Sequence, residues 1–486
     1  MYEGNDTNMQ MIIGGKKVNS SDGKTIEVVD PSTLKVIDTV PAATFEDIDL
    51  AVSNAVKGFG EWSEKPLHER ITVMKKFLAL YDEHRDELID YVTKEGGKPI
   101  KVATGEYNYT RTFFDQYIEQ SRFVGGETLP INNLPSYPDS LVMTVREPLG
   151  VVVGVLPFNF PLSQVPHKAV APLLMGNSVI LKPSSNTPLV QIRLVELFLK
   201  AGVPANAIQI VTGSGAKVGT WLSSDKRVAM ISLTGSTEVG IEISKDAAQH
   251  LHHVKLELGG NDPLIVLPDA DLDYAVAQSM IGRNLGNAGQ ACCASKRFIV
   301  HNSIKEAYTQ KLVEAIKKLK VTGTSDPDSD CGPLISLRHA KEVEEQIKKT
   351  IEQGGKLVCG GKRENAFVEI TAVQVSKEAD VAKDMEIFGP VFPIIGYDTV
   401  EEAVEIANNT IYGLSSGVIG KDMEKLFYVA KRMQAGCCTI NGNGNVRRHD
   451  QPFGGYKMTG IGREGTRFTL EENTQLKTLF FLGSYK

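Results

Sequence analysis

The sequence has little cysteine, and its cysteines form no pattern that holds a metal or a disulfide framework. Two pairs are adjacent along the chain, and no C-x-x-C spacing occurs. The six cysteines are Cys292, Cys293, Cys331, Cys359, Cys437 and Cys438. Such sparse usage predicts a reducing compartment and no metal site.

The sequence also lacks an excess of positive charge and any long apolar run. Its 53 Lys and Arg residues are outnumbered by 59 Asp and Glu residues, giving a formal net charge of −6. This balance argues against a nucleic-acid or anionic-membrane partner, because such partners require surplus cations, but it leaves a small anionic substrate open. No run approaches the roughly 18 apolar residues of a membrane span, and residues 1–15 carry no secretory signal pattern. The expected location is the cytoplasm.

The N-terminal part is predicted to be largely helical. Apolar residues recur at helical spacing in residues 66–94, and residues 45–60 and 101–123 are also predicted helices. Residues 129–140 contain three prolines and no clear period. That stretch predicts a domain boundary or an extended arm.

A run of apolar strands separated by helical segments follows from residue 150. Residues 150–156, 178–182, 208–213 and 228–235 are predicted strands buried on both faces, which is typical of a parallel α/β sheet. Such sheets bind ligands beyond the carboxyl ends of their strands. The residues that end or follow these strands are Asn159, Lys182, Gly213 and Gly235. The pattern therefore predicts a nucleotide-type site.

A second α/β domain is predicted from further apolar strands at residues 264–267, 298–300, 392–395 and 416–419. The tail at residues 474–481 also reads as a strand. Its apolar side chains would be exposed on a lone edge, so pairing with another subunit is expected.

Cys292 stands in a turn of small residues, Asn-Ala-Gly-Gln-Ala-Cys-Cys, at residues 287–293. A cysteine in such a turn can be reached by substrate, and nearby backbone N–H groups can hold an oxyanion. The alternative is a buried structural cysteine, which is the usual role of a free cysteine.

Two other segments carry groups that could serve a cysteine nucleophile. Glu257 lies in an apolar run before two glycines, where burial would raise the pKa of its carboxyl toward that of a general base. Asn159 lies between Pro157 and Pro161, where its amide could donate to a developing oxyanion. The alternatives are an ion-paired strand-end Glu and an ordinary turn Asn.

Together these motifs resemble the aldehyde dehydrogenase superfamily over nearly the whole chain, roughly residues 12–477. The landmarks, in order, are PFNFP at 157–161, LKPSSNTP at 181–188, LTGSTEVG at 233–240, LELGGNDP at 256–263, NAGQACCA at 287–294, EIFGPVFP at 386–393 and PFGGYKMTGIGREG at 452–465. The resemblance implies that Cys292 is the nucleophile, Cys293 an inert neighbour, Glu257 the general base and Asn159 the oxyanion donor. It implies oxidation of an aldehyde to a carboxylate through a thiohemiacetal and a thioester on Cys292.

The resemblance also implies NAD or NADP as cofactor. The implied cofactor-binding residues are Phe158, Lys182, Ser185, Gly213, Gly235, Ser236, Leu258, Glu386 and Phe388. Ser185 occupies a position that is often Glu in relatives that prefer NAD, where the acid repels a 2′-phosphate. NADP⁺ is therefore expected to be accepted, with a helix N-cap as the alternative role of Ser185.

The sequence is similar to the branch of the family that acts on succinate semialdehyde, lactaldehyde or glyceraldehyde phosphate. Enzymes dedicated to succinate semialdehyde typically carry two arginines at positions that are His167 and Gly286 here. Arg283 and the trio Arg447, Arg448 and His449 are the nearest candidate replacements, and a solvated loop is the alternative for the trio. A small polar or anionic aldehyde is the expected substrate.

The family architecture implies three parts. A discontinuous Rossmann-like dinucleotide-binding domain would span residues 1–134 and 148–256, and a catalytic domain residues 257–445. A small β arm at residues 135–147 and 474–486 would form a homodimer or homotetramer. The competing classes are a CoA-acylating relative, which typically lacks the Glu257 equivalent, and a non-enzymatic scaffold, which would not need the catalytic residues.

Overall fold

The computed structural model describes residues 9–130, 135–137 and 139–483. Several predicted boundaries lie outside the described residues. These are residues 1–8 and 131–134 of the predicted first domain, and residues 138 and 484–486 of the predicted arm.

The strands are labelled in chain order. They are β1 (Met11–Ile13), β2 (Lys16–Val18), β3 (Thr25–Asp30), β4 (Lys35–Pro41), β5 (Leu141–Pro148), β6 (Val151–Val155), β7 (Ser178–Lys182), β8 (Ile208–Ile210), β9 (Val228–Thr234), β10 (His253–Glu257), β11 (Asp262–Val266), β12 (Ser295–His301), β13 (Lys356–Cys359), β14 (Arg363–Glu364), β15 (Phe367–Val368), β16 (Thr371–Val375), β17 (Val391–Tyr397), β18 (Gly417–Ile419), β19 (Thr439–Ile440), β20 (Gly460–Ile461) and β21 (Thr474–Phe481).

The α-helices follow the same convention. They are α1 (Phe45–Ser63), α2 (Leu67–Glu83), α3 (Arg85–Gly96), α4 (Ile100–Gln120), α5 (Ala171–Leu174), α6 (Leu189–Ala201), α7 (Gly215–Ser223), α8 (Thr237–Ala248), α9 (Leu272–Gly282), α10 (Asn302–Ile316), α11 (Leu337–Glu352), α12 (Val400–Asn408), α13 (Met423–Arg432) and α14 (Thr466–Glu472). A π-helical turn at Pro166–Val170 precedes α5. Among the described residues, no helix is long and apolar enough to cross a membrane.

The first sheet has the strand order β2-β1-β8-β7-β6-β9-β10-β20, and strands β6 to β10 run parallel. Strands β7 and β8 extend to one side of β6, whereas β9 and β10 extend to the other. The strand order therefore reverses between β6 and β9, and a crevice opens there beyond the strands' carboxyl ends.

The second sheet has the order β13-β16-β17-β12-β11-β18-β19, and only β13 runs antiparallel to its neighbour. Its interior strand β11 is buried along its whole length, because helices cover both faces. Two mainly parallel sheets, each with its own apolar core, confirm the predicted α/β fold class.

The tail strand β21 pairs antiparallel with β5 of the same chain, from Thr474 opposite Pro148 to Phe481 opposite Leu141. The sequence pattern predicted that β21 pairs with another subunit, but one edge of β21 is hydrogen-bonded to β5 of the same chain. The two-stranded ribbon of β5 and β21 still exposes apolar side chains, with Leu476 at 58% and Phe480 at 48% exposure.

Three details differ from the sequence-based expectations. The predicted helix at residues 66–94 is divided into α2 and α3, because His84 leaves the helical conformation and its ring contacts Glu87 instead. Strand β10 was not predicted. Residues 446–473, which the predicted domains left unassigned, return to the first sheet, where β20 pairs with β10 and α14 packs on α4 and α5.

Candidate active site

A cavity of about 480 Å³ opens beyond the carboxyl ends of β6, β7, β9 and β10. Its lining includes predicted residues from segments that are far apart in the sequence. These are Phe158, Asn159, Lys182, Ser185, Gly235, Ser236, Leu258, Cys292, Glu386 and Phe388. The cavity therefore joins the predicted nucleophile and oxyanion donor to most of the predicted cofactor residues.

Strand ends and a helix start provide the polar groups at the first-sheet side of the cavity. Lys182 is the last residue of β7, and burial lowers the pKa of its ammonium to about 8. Ser236 caps α8, because its hydroxyl accepts the N–H of Val239 at 3.4 Å. The N-terminus of α8 thus points its free N–H groups toward the cavity beside Gly235, as a phosphate site requires.

Ser185 is not a helix N-cap, since α6 begins only at Leu189. Its hydroxyl donates to the carbonyl oxygen of Gly213 at 3.1 Å. Gly213 is the one predicted cofactor residue that does not line the cavity, and it reaches the site only through this bond. The space beside Ser185 and Lys182 has no acidic side chain among the lining residues at that end.

The opposite wall of the cavity is formed by residues from the part of the chain that contains the second sheet. The carboxylate of Glu386 forms an ion pair with Lys296 Nζ at 3.2 Å, and Phe388 meets Phe158 edge to face at 6.0 Å. Lys296 also donates to the carbonyl oxygen of Cys292 at 2.5 Å. Lys296, which the sequence analysis missed, therefore ties the Cys292 backbone to a predicted cofactor contact.

The turn that carries Cys292 is locked against the Asn159 segment. The amide of Asn287 donates to the carbonyl oxygens of Asn159 and Gln290, both at 2.9 Å, and Asn159 Nδ2 donates to the Gln290 carbonyl at 3.1 Å. Gly289 has a φ of 73°, and a Cβ there would collide with the backbone of Gly389. The small residues that singled out this turn in the sequence are thus required by close packing.

The two adjacent thiols have different surroundings. Cys292 lines the cavity, whereas Cys293 donates from Sγ to Asn445 Oδ1 at 3.2 Å. The neighbouring Cys293 thiol, followed by burial, raises the pKa of Cys292, and the Cys292 thiol in turn lowers the pKa of Cys293. Lys296 and Arg447 favour the thiolate form of Cys292.

Glu257 ends β10 and is 3% exposed. Neither of its carboxylate oxygens has a hydrogen-bond partner among the described residues. Burial and the nearby Glu464 raise the pKa of Glu257 well above its usual range, while Lys255 and Arg447 oppose the shift. This is the environment that a carboxylate needs to accept a proton near neutral pH.

The predicted substrate residues do not line this cavity, and they differ from one another in position. His167 lies buried in the π-helical turn, where its Nδ1 contacts the Tyr117 hydroxyl at 2.5 Å and burial lowers its pKa, so that it is neutral. Arg447 forms an ion pair with Glu464 at 3.0 Å. Arg448 is 77% exposed and pairs with Asp450, so it is not brought together with the others.

The other two positions considered for a substrate cation are also used internally. Gly286 packs against Val102, and a Cβ there would lie 2.8 Å from that side chain. Arg283 is fully buried and donates to the carbonyl oxygen of Ile387 at 2.7 Å. Neither position lines the cavity, although Nε and Nη1 of Arg283 have no hydrogen-bond partner among the described residues.

A buried charge cluster around Glu464 was missed by the sequence analysis. Glu464 receives Arg447, and Lys168 Nζ lies 3.4 Å from its other oxygen. Burial would raise the pKa of Glu464, but Lys168 and Arg447 hold it well below its usual range. The only sequence signal was the position of Glu464 inside the GIGREG landmark, between Gly462 and Gly465.

The chain belongs to the aldehyde dehydrogenase family, whose family model matches residues 18–479. It is 35% identical over 472 residues to a glutarate-semialdehyde dehydrogenase of Pseudomonas putida, with 97% of each chain covered. It is 36% identical to a lactaldehyde dehydrogenase of Methanococcus aeolicus, covering 96% of this chain and 99% of that one. It is 34% identical to the NADP⁺ succinate-semialdehyde dehydrogenase of Escherichia coli, with coverages of 97% and 98%.

Solved structures agree with this family and confirm the fold. An aldehyde dehydrogenase from Brucella melitensis superposes with a TM-score of 0.94 at 34% identity over 100% of both chains. A betaine aldehyde dehydrogenase from Staphylococcus aureus, solved in complex with NAD⁺, gives a TM-score of 0.94 at 33% identity over 99% and 96% of the two chains.

Proposed function

We propose that this aldehyde dehydrogenase family member oxidises its aldehyde with NAD⁺ or NADP⁺ through a covalent bond to Cys292. The observation that carries the proposal is the shared cavity, in which Cys292 and Asn159 face the same space as the residues suited to a dinucleotide. Cys293 is directed at Asn445 instead. The position of Cys292, rather than its acidity, distinguishes the nucleophile.

The cavity residues fit a dinucleotide. The α8 N-terminus with Gly235 and Ser236 suits the pyrophosphate, and Lys182 suits the adenine ribose. Glu386 and Phe388 suit the nicotinamide ribose and ring, with Phe158 and Leu258 completing the walls. When bound, the nicotinamide supplies the hydride acceptor. NAD⁺ in the staphylococcal relative and NADP⁺ in the E. coli relative support either cofactor.

The chain's own groups can complete the reaction. The Cys292 thiolate attacks the carbonyl carbon, and the oxyanion that forms accepts hydrogen bonds from Asn159 Nδ2 and the Cys292 N–H. After the hydride leaves, Cys292 carries a thioester. Glu257 takes a proton from water, which attacks the thioester and releases the carboxylate and the thiol. The buried carboxylate of Glu257 favours water over CoA as the acceptor, because a transfer to CoA does not need this base.

We infer that the substrate is a small polar or anionic aldehyde and that Arg447 provides its cation. Arg448 is exposed and paired with Asp450, so it no longer shares this role. Arg447 lies close enough to influence the pKa of both Cys292 and Glu257. The names of the relatives, which are semialdehyde and lactaldehyde dehydrogenases, support this substrate class.

We also propose the domain division expected from the family: residues 1–134 and 148–256 bind the dinucleotide, residues 257–445 carry the nucleophile, and residues 135–147 with 474–486 form an arm. The exposed apolar side chains of β21 support a homodimer or homotetramer. Sedimentation of the intact chain tests this assembly, with Leu476→Lys as the variant expected to weaken it.

Trapping of the covalent intermediate tests the central proposal. Glu257→Gln mixed with aldehyde and NAD⁺, then quenched with acid, should carry an acyl group on the peptide that contains Cys292. Tandem mass spectrometry assigns the adduct to one of the two adjacent cysteines. An adduct on Cys293, or reduced cofactor formed without any adduct, would contradict the assignment.

A further inference from the structure

Helix α4 and the loop at residues 443–449 meet at an aromatic cluster beside the Glu464 charges. The ring of Tyr109, in α4, packs edge to face on Phe113 at 5.1 Å and lies 5.0 Å from the His449 ring. The Arg447 guanidinium lies over the Phe113 ring at 5.5 Å and over Phe453 at 3.9 Å. Tyr109 and Arg447 therefore approach the same phenylalanine.

Both side chains contain a buried polar atom without a partner. The Tyr109 hydroxyl and Arg447 Nε have no hydrogen-bond partner among the described residues. A buried donor without an acceptor is costly, and proteins rarely retain one unless a ligand or a water molecule satisfies it. Two such donors beside one phenylalanine are suited to a ligand that accepts two hydrogen bonds.

These donors lie on the catalytic side of the cluster. The 443–449 loop contacts the nucleophile's neighbour through Asn445, which accepts the Cys293 thiol at 3.2 Å. Arg447, two residues further on, favours the ionised forms of both Cys292 and Glu257. A group bound to Arg447 Nε would therefore belong to a molecule whose other end approaches Cys292.

The guanidinium is also held in place. Arg447 Nη2 is bound to Glu464 at 3.0 Å and faces His167 Nε2 at 3.5 Å, while His167 is itself fixed by Tyr117. Because Glu464 and His167 occupy Nη2, the orientation of Nε is set before a ligand arrives. His167 Nε2 lies 3.7 Å from the Glu464 carboxylate, so its ring is used within the cluster, and Gly286 has no side chain that could donate.

We propose that the Tyr109 hydroxyl and Arg447 Nε together bind the distal carboxylate of a short ω-carboxylated aldehyde. The subsite rests on the proposed oxidation at Cys292 and specifies its substrate. A carboxylate is an acceptor-only group with two oxygens, which matches one O–H and one guanidinium N–H donor. Tyr109 is thus a specificity residue that the sequence motifs do not reveal.

Tyr109→Phe tests the subsite, because it removes the hydroxyl and keeps the ring on Phe113 and His449. The kcat/KM for succinate semialdehyde should fall about tenfold or more, as expected for a lost hydrogen bond to a charged group. The kcat/KM for uncharged pentanal should stay within about twofold. The matched control is Tyr107→Phe in the same helix, whose hydroxyl bonds to the Tyr81 carbonyl and should leave the ratio unchanged.

A binding measurement separates recognition from catalysis. In Cys292→Ala, calorimetry should show tighter binding of succinate than of butyrate, and Tyr109→Phe added to that variant should remove most of the difference. Equal effects of Tyr109→Phe on both aldehydes, or unchanged binding of succinate, would overturn the subsite. If the wild-type chain oxidises neither aldehyde, the proposed function itself fails, which is a distinct result.

Discussion

The proposed cofactor side and the proposed substrate side of Cys292 are built in different ways. On the cofactor side, strand ends, a helix N-terminus and small residues line an open cavity, and Lys182 forms no ion pair with a described residue. On the substrate side, Arg447, Lys168 and Glu464 neutralise one another in the interior. The cofactor side therefore presents an unpaired charge to a ligand, whereas most charges on the substrate side form ion pairs with one another.

This difference affects how each side can discriminate. A free charge at a strand end attracts any phosphate, so the cofactor side selects a class of ligand. A guanidinium fixed by Glu464 presents only its remaining donors, in fixed directions, so it selects by geometry. Replacements on the two sides of Cys292 should therefore have distinct kinetic signatures.

The largest effect is expected at the junction of the two sides. Cys292→Ala should reduce kcat by at least about 10⁴-fold, because no other thiol among the described cavity-lining residues can form the thioester. Cys293→Ala should keep most of the activity. Initial rates of reduced-cofactor formation measure both variants, with Cys437→Ala in the other adjacent pair as control. Loss of activity in Cys293→Ala and its retention in Cys292→Ala would reverse the assignment.

Glu257→Gln should lower steady-state turnover by about 10²–10³-fold while leaving a rapid first turnover of reduced cofactor, since only hydrolysis needs the base. Stopped-flow absorbance separates the two phases. Unchanged steady-state turnover would rule out the role.

The pH profile sharpens the same prediction. Burial raises the pKa of Glu257, and the base acts only when ionised, so hydrolysis should speed up as pH rises above the ordinary carboxyl range. Glu257→Gln should lose this rise. A wild-type hydrolysis rate already constant from pH 5 upward would contradict the raised pKa.

The sequence located the residues that line the cavity better than those of the buried cluster, for a physical reason. Lys182 ends a strand and Gly235 follows one, so hydrophobic periodicity along the chain finds them. Tyr109 and His449 meet only because α4 packs against the segment that returns after residue 445. No local sequence pattern predicts that the chain returns to the first sheet there. For the same reason the sequence could not show that Arg447 is paired inside the protein whereas Arg448 is exposed.

The variants Arg447→Ala and Arg448→Ala show which of the two arginines sets the preference for an anionic substrate. The preference for an anionic over a neutral aldehyde of similar size should fall by about 10–150-fold in Arg447→Ala, equivalent to about 1.5–3 kcal/mol for a charge-assisted bond. Arg448→Ala should change it little, because this side chain is exposed and paired with Asp450. The ratio of kcat/KM values for succinate semialdehyde and pentanal measures both. Equal small effects would remove the support for an anionic substrate.

The smallest effect is expected on the cofactor side, where we expect Ser185 to influence the choice between the two dinucleotides. Its side chain is small and uncharged and lies near Lys182, so the 2′-phosphate of NADP⁺ meets no negative charge from it. Ser185→Glu should lower kcat/KM for NADP⁺ by about fivefold to tenfold through like-charge repulsion, an effect that solvent and salt keep modest. The value for NAD⁺ in the same variant is the internal control and should hold or rise, because a carboxylate can accept the ribose hydroxyls. Raising the salt concentration should shrink the difference between the cofactors. If the wild-type chain rejects NADP⁺ outright, or if Ser185→Glu affects both cofactors equally, the selectivity lies elsewhere in the cavity.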